Sequence, residues 1–247
     1  MNPTTSCSPS PALTTPSLTE RLRALPRYEP VRSHEGDERL YATPVGSCPS
    51  VTTILSGSRD NSGLEAWRES VGHERADFIS SLACFRGNNH HLAIERYLTD
   101  GTEPGFDFLQ TPYWKSTKSF LTTVDAPLLL EGAIWHPDGF AGTLDCLAYL
   151  AEDGLQPTLL DWKTADTPRK PDKIYEYSLQ CAAYTAAANY VYGHLGLHIT
   201  QAKIVIAIAD SPPQIETLDA RALDQLYKHF LARLKRFTFS RGRRRKG

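Results

Sequence analysis

Three apolar runs separated by short polar turns dominate the middle of the chain. Leu128 to Trp135, Phe140 to Leu150 and Pro157 to Lys163 are divided by Pro137-Asp138-Gly139 and by Glu152-Asp153-Gly154. This punctuation predicts an antiparallel meander of three strands. Upstream the period changes. Leu64, Trp67, Val71 and then Phe78, Ile79, Leu82 recur at three- and four-residue spacings, which predicts helices between Ser62 and Leu98, closed by Gly101. Phe106 to Val124 and the alanine-rich Ile174 to Val191 also read as helices, Ala202 to Ala209 as an unbroken apolar strand, and Asp219 or Ala220 to Phe237 as a closing amphipathic helix. Tyr41 to Pro44 fits a short strand, and Ser50 to Leu55 a short helix or strand. Helices first, a sheet next, then helix, strand and helix predict an α/β (α+β) domain: a central mixed sheet flanked by helices, with an N-terminal helical part and no internal repeat.

Two of the meander strands carry charge where a buried sheet should not. Asp145 lies inside one apolar run; Asp161 and Lys163 lie inside the next. Such charges must be paired or bound to a metal. Strand side chains alternate with period two, so Asp161 and Lys163 share a face. Two carboxylates and an ammonium on one face suit metal-dependent attack on a phosphodiester: the acids hold a hard cation, and the lysine orients the attacking water or offsets developing charge. The turn decides whether Asp145 joins them. A two-residue Asp153-Gly154 turn would pair Asp145 with Trp162 and turn the acid away. A three-residue loop, with Gly154 left-handed, pairs Asp145 with Asp161. The reading therefore requires a loop of odd length.

Composition narrows the setting. The 247 residues are 40% hydrophobic and 22% charged, an ordinary globular balance. No apolar run approaches the roughly 20 residues that cross a bilayer, so no membrane partner is expected. Cys7, Cys48, Cys84, Cys146 and Cys181 are scattered and odd in number, which suits free thiols in a reducing cytosol and argues against a zinc site or disulfide framework. Residues 1–38 open on a Ser/Thr/Pro-rich run without the basic start and apolar centre of a secretory signal. They read as mostly disordered, with a short helix over Leu18 to Leu25. A cytoplasmic setting is expected, and the scarcity of acids leaves organellar targeting open. Residues 39–239 form the single domain, helical over about 50–125 with the core over 126–239, and 240–247 read as a basic, solvated tail. The net charge of −1 announces no polyanion partner, whereas Arg241, Arg243, Arg244, Arg245 and Lys246 cluster at the end.

Other residues join the candidate set by position. His91 and Glu95 are one turn apart on the long helix and share a face, whereas His90 should point away. Gln180 and Tyr184 are one turn apart on the alanine-rich helix; a polar edge of a core helix would look the same. Glu131 lies in the strand beside Asp145 and is a further candidate for the metal. Arg169, Lys170 and Lys173 could grip phosphates. Trp67, Tyr113 and Trp114 are placed to stack bases, although aromatics at helical spacing more often form core.

In order along the chain, Gly87-x-x-x-His91-x-x-Ile94-Glu95, Gly142-Thr143-Leu144-Asp145, Asp161-Trp162-Lys163-Thr164 and Gln180-x-x-x-Tyr184 resemble the RecB-like branch of the PD-(D/E)XK nucleases. Pro49-Ser50-Val51-Thr52-Thr53-Ile54-Leu55 and Ser62-Gly63-Leu64-Glu65-Ala66-Trp67-Arg68 resemble the subgroup containing mitochondrial genome maintenance exonuclease 1 and its bacterial and phage relatives. The likeness runs from about Tyr41 to Phe237. Leu144 stands where the wider superfamily has proline, as is usual in this branch.

The resemblance implies a restriction-endonuclease-like core and a DNA exonuclease that needs free ends, prefers single strands and uses Mg²⁺ or Mn²⁺. It implies metal ligation by His91, Asp145, Asp161 and the backbone carbonyl of Trp162, a catalytic Lys163, and DNA contact or bracing by Gln180 and Tyr184. Some relatives hold an iron–sulfur cluster on one early and three late cysteines; nothing here follows Cys181, so no cluster is expected. No Walker A motif is present, so no nucleotide cofactor is expected and any helicase partner is a separate replication or repair protein. Two other readings stay open: a structure- or sequence-specific endonuclease on the same core, and a non-catalytic DNA-binding module.

Overall fold

The computed structural model describes residues 25–36, 38–105, 111–154 and 156–244. A small antiparallel sheet comes first: β1 (Arg32–Glu35), β2 (Glu38–Thr43) and β3 (Gly46–Pro49). Four helices follow, α1 (Val51–Ser58), α2 (Ser62–Val71), α3 (His73–Asp100) and α4 (Thr111–Leu121). Next come the meander strands β4 (Val124–His136), β5 (Phe140–Leu150) and β6 (Pro157–Ala165), then α5 (Pro171–Tyr192), β7 (Gln201–Ile208), β8 (Ser211–Leu218) and α6 (Ala220–Arg244). The five long strands form one mixed sheet in sequence order, antiparallel except where β6 and β7 run parallel. The helix α5 makes that parallel connection, as the geometry of a crossover requires. The architecture is α+β, with six α-helices among the described residues.

Local chemistry explains the element ends. Ser50 caps α1 by accepting the Thr53 N–H at 3.0 Å. Gly101, at φ +78°, stops α3 and gives its N–H to the Tyr97 carbonyl. The sheet is buried on both faces. Leu147 and Leu159 pack with α1, α5 and α6 on one side; Cys146, Ala148, Leu160 and Trp162 pack with Ile94 of α3 and Trp114 and Phe120 of α4 on the other. By alternation from Leu159, Asp161 and Lys163 belong to the α5 side.

The chain departs from its sequence reading in several places. Residues 25–36, read as part of a weakly ordered segment, are tied down: Leu25 is in the main core, the Ala133 N–H donates to the Tyr28 carbonyl at 2.9 Å, and β1 pairs with β2. The tail read as solvated is helical to Arg244, and Arg241 forms ion pairs with Glu38 at 2.7 Å and Glu35 at 3.3 Å. Tyr113 and Trp114, offered for base stacking, are buried, and Trp67 is half-buried. Strand β8 is absent from the sequence reading, because Pro212 and Pro213 interrupt its pattern; it lies at the sheet's edge, where proline is tolerated. The helix over Leu18 to Leu25 (but for Leu25 itself), the helix start at Phe106, Cys7, Arg245 and Lys246 lie outside the described residues. No helix among the described residues is long and apolar enough to cross a membrane.

Candidate metal centre and cleft

The site is built where two strands part. The β5–β6 ladder runs from Tyr149↔Pro157 to Cys146↔Leu160 and ends there, while β6 stays paired with β7 as far as Ala165↔Ile208. Asp145 and Asp161 each stand one step past the last pair. In place of the next ladder bond, the Trp162 N–H donates to Asp145 Oδ2 at 2.9 Å. The register leaves a connection of odd length, with Gly154 at φ +67°, so the two acids lie opposite each other as the odd loop demands.

Asp161 is 1% exposed. Its Oδ2 lies 2.5 Å from Lys163 Nζ, and its Oδ1 accepts from Gln180 Nε2 at 2.9 Å. Burial pushes the Asp161 carboxyl above the usual carboxylate range, against the pull of Lys163. For Lys163 burial favours the neutral amine, but Asp161 and Asp145 outweigh it and hold the ammonium more firmly protonated than usual.

His91, from α3, approaches on the other flank. Its Nδ1 is 3.5 Å from Glu131 Oε1 and 3.6 Å from Asp145 Oδ1, and its Nε2 is 3.0 Å from the Trp162 carbonyl oxygen. Burial opposes a charge on the ring, but Asp145 and Glu131 prevail and push its pKa up to about 9. His90 turns into the α3–α4 contact instead, 3.0 Å from Thr117 Oγ1, and burial drives its pKa down to about 3. Of these adjacent histidines, the carboxylates favour the charged ring at His91 and burial favours the neutral ring at His90.

Glu131 sits at φ +48°, a left-handed conformation inside a strand. Non-glycine residues held there are strained, and strain of this kind gathers at sites with a task. One donor atom each from His91, Glu131 and Asp145 lie within 4.8 Å of one another. Two carboxylate oxygens and an imidazole nitrogen suit a divalent cation of the Mg²⁺ or Mn²⁺ kind. The expected ligand set differs in one member: both oxygens of Asp161 are engaged, by Lys163 and Gln180, and Glu131 completes the cluster. The Trp162 carbonyl, also expected as a ligand, faces His91 and lies 3.3 Å from Lys163 Nζ.

The other expected residues divide. Tyr184 is buried and backs the cleft; its ring lies so close to Gly142 that a β-carbon there would stand 2.6 Å from Cε1. Gly142→Ala should therefore cost about 1–3 kcal/mol through overpacking, read as a lower urea midpoint, with the β5 end displaced next to Asp145. Glu95 lines the cleft but pairs with Arg27 at 3.4 Å. Arg169 and Lys170 do not line it: the Arg169 N–H donates to Gln214 Oε1 at 2.7 Å, and Lys170 is exposed. Lys173 lies over the Tyr177 ring that Lys163 also faces.

A cleft of about 420 Å³ opens over the cluster. Its lining includes His91, Glu131, Asp145, Gln180 and Tyr184, and also Arg32, Arg39 and Tyr41 from the small sheet. The sequence reading misses these last three. Their one signal is Arg39-x-Tyr41, two residues on one strand face. The chain matches no family model, and no curated protein matches it significantly.

Proposed function

We propose that this chain is a metal-dependent deoxyribonuclease of the PD-(D/E)XK kind, hydrolysing single-stranded DNA from free ends in repair, replication or recombination. One observation carries the reading: Asp145, Asp161 and Lys163 converge where β5 and β6 separate, with His91 and Glu131 closing a cation-sized cluster beside them. The motif order described above adds the substrate class and the preference for ends, and the five-stranded mixed sheet has room for the restriction-endonuclease-like core it implies.

His91, Glu131 and Asp145 would hold the cation, which supplies Lewis-acid polarisation of the scissile phosphate. The protein's own groups do the rest. Lys163, kept charged by Asp161, offers a fixed ammonium to oxygens that gain charge as the phosphate is attacked. It acts through its charge, since a lysine held protonated takes no proton from water. Gln180 fixes Asp161, and so fixes Lys163. The Trp162 N–H holds the Asp145 carboxylate toward the cluster's other donors without neutralising it.

The test is digestion of end-labelled linear single-stranded DNA, beside its circular form and a linear duplex, with Mg²⁺, Mn²⁺ or EDTA. Cation-dependent shortening of the linear single strand, with the circle intact, is expected. Cutting of the circle would replace the exonuclease with an endonuclease on the same core. No cleavage with any cation, by protein that binds DNA, would replace it with a binding module.

A further inference from the structure

One arginine in the cleft has nothing to hold. Arg39, on β2, is half-buried and lines the cleft with Asp145, Gln180 and Tyr184, yet its guanidinium has no hydrogen-bond or ion-pair partner among the described residues. Only its backbone is engaged: its N–H donates to Thr53 Oγ1 at 3.2 Å, and its carbonyl accepts the Ser50 N–H at 2.9 Å. The fold thus fixes the main chain of Arg39 at the cleft wall and leaves five N–H donors without a task. Its neighbour Arg27 is different, being engaged by Glu29 and Glu95.

Two further donors stand beside it. Arg32 gives one N–H to Thr143 Oγ1 at 2.7 Å and is otherwise exposed, with its guanidinium 5.6 Å from the Tyr41 ring centre. Tyr41 OH is 3.2 Å from the same Thr143 oxygen. These two hydroxyls share one hydrogen bond, so whichever donates it, the other keeps a proton to give. Both line the cleft. Thr143 is two residues before Asp145 on β5 and lines the same cleft, so the donors sit about 7 Å along the strand from the carboxylates. That is close to one nucleotide step.

We propose that Arg39, Arg32 and the Tyr41–Thr143 hydroxyl pair form a phosphate-binding subsite that holds the phosphate adjacent to the one cleaved. This rests on the nuclease reading for its substrate, and it gives the small N-terminal sheet a task. Glu29, Glu95, Glu131 and Asp145 face the same cleft, so the subsite sets the register of a polyanion against a wall that would otherwise repel it. The same chemistry recognises a terminal phosphomonoester or an internal phosphodiester.

The experiment is fluorescence anisotropy of a labelled oligothymidylate over a salt series in EDTA, native protein against Arg39→Gln, with circular dichroism and urea midpoints as fold controls. Arg39→Gln is expected to bind roughly tenfold more weakly, with a salt slope shallower by about 0.7, the loss of one phosphate contact on a single strand. Thr143→Val, which removes a hydroxyl but no charge, is expected to weaken binding with the slope unchanged, and serves alone if Arg39→Gln does not fold. Oligonucleotides with a 5′-phosphate, a 3′-phosphate or neither separate the two sources: an Arg39 effect confined to one phosphorylated end assigns the terminal group, and an equal effect on all three assigns the internal diester. Native affinity and native slope in Arg39→Gln, or in Thr143→Val native affinity where that variant stands alone, would overturn the subsite. If the native protein neither binds nor cuts DNA, the nuclease reading falls separately. Titration with inorganic phosphate, followed by ³¹P NMR, then decides the subsite: Arg39-dependent binding supports it, and its absence overturns it.

Discussion

Lys163→Met will end cleavage and weaken the fold, while Asp161→Asn/Lys163→Met will recover most of the stability and none of the activity. The single variant strands a carboxylate that is 1% exposed and has lost the cation 2.5 Å away. Breaking a buried pair by removing one partner costs about 3–5 kcal/mol. Replacing both members with neutral side chains leaves neither of their charges in the interior, and the amide oxygen introduced by Asp161→Asn would still accept from Gln180. Cleavage should fall by at least about 10²–10³-fold in both, the loss seen when one donor to developing charge is removed. The single variant also carries a pH signature. Burial already raises the Asp161 carboxyl, and loss of Lys163 raises it further. A folded-state pKa above the unfolded one gives stability that is present at low pH and lost as pH rises through the folded value. The urea midpoint of Lys163→Met should therefore be higher at pH 5 than at pH 8, and the double variant should lack that difference. Equal midpoints for single and double variants would show that the pair is not coupled.

Glu131→Gly is expected to move stability and metal binding in opposite directions. At φ +48° the glutamate occupies a conformation that glycine adopts freely. Relief of the strain, of order 1–3 kcal/mol, offsets the greater chain entropy that glycine loses on folding, about 0.5–1 kcal/mol. The variant should be as stable as the native protein or more so. It also removes one of three convergent donors, and Mn²⁺ affinity measured by calorimetry should drop by at least about 100-fold, beyond the loss seen for groups that merely support a ligand. Glu131→Ala separates the two effects, losing the donor and keeping the strain. A Glu131→Gly protein with unimpaired Mn²⁺ binding would remove this residue from the cluster.

The site's legibility in the sequence follows how local each feature is. Asp145 and Asp161 are readable because strand alternation and a glycine at the end of an odd loop are properties of a few consecutive residues. Gln180 and Tyr184 are readable by helical spacing, although their partners, Asp161 and the α-carbon of Gly142, are not. Glu131 reads correctly into its strand. Its left-handed backbone leaves no mark in its identity, so its weight in the cluster is invisible in the sequence. The division of the acids is hidden for a similar reason: whether Asp161 faces a cation or Lys163 depends on side-chain rotamers across two strands. The small sheet mostly escapes the sequence because β1 is four exposed polar residues held by pairing with β2 and by the Glu35–Arg241 ion pair to the end of α6.

That last dependence has a consequence for the protein while it is being made. Glu35 and Arg241 are 206 residues apart, and Arg233 reaches back 178 residues to the Leu55 carbonyl and also holds Ser58 and Glu176. At about 5–20 residues per second, roughly 10–40 s separate the emergence of the small sheet from that of the helix that anchors it. Through that interval Arg39 is already held by Ser50 and Thr53, whereas Glu35 and Glu38 wait for Arg241. Until α6 is made, the small sheet lacks its Arg241 ion pairs and α1 lacks the hold of Arg233, so the N-terminal layer is fastened only after the five-stranded sheet has been synthesised.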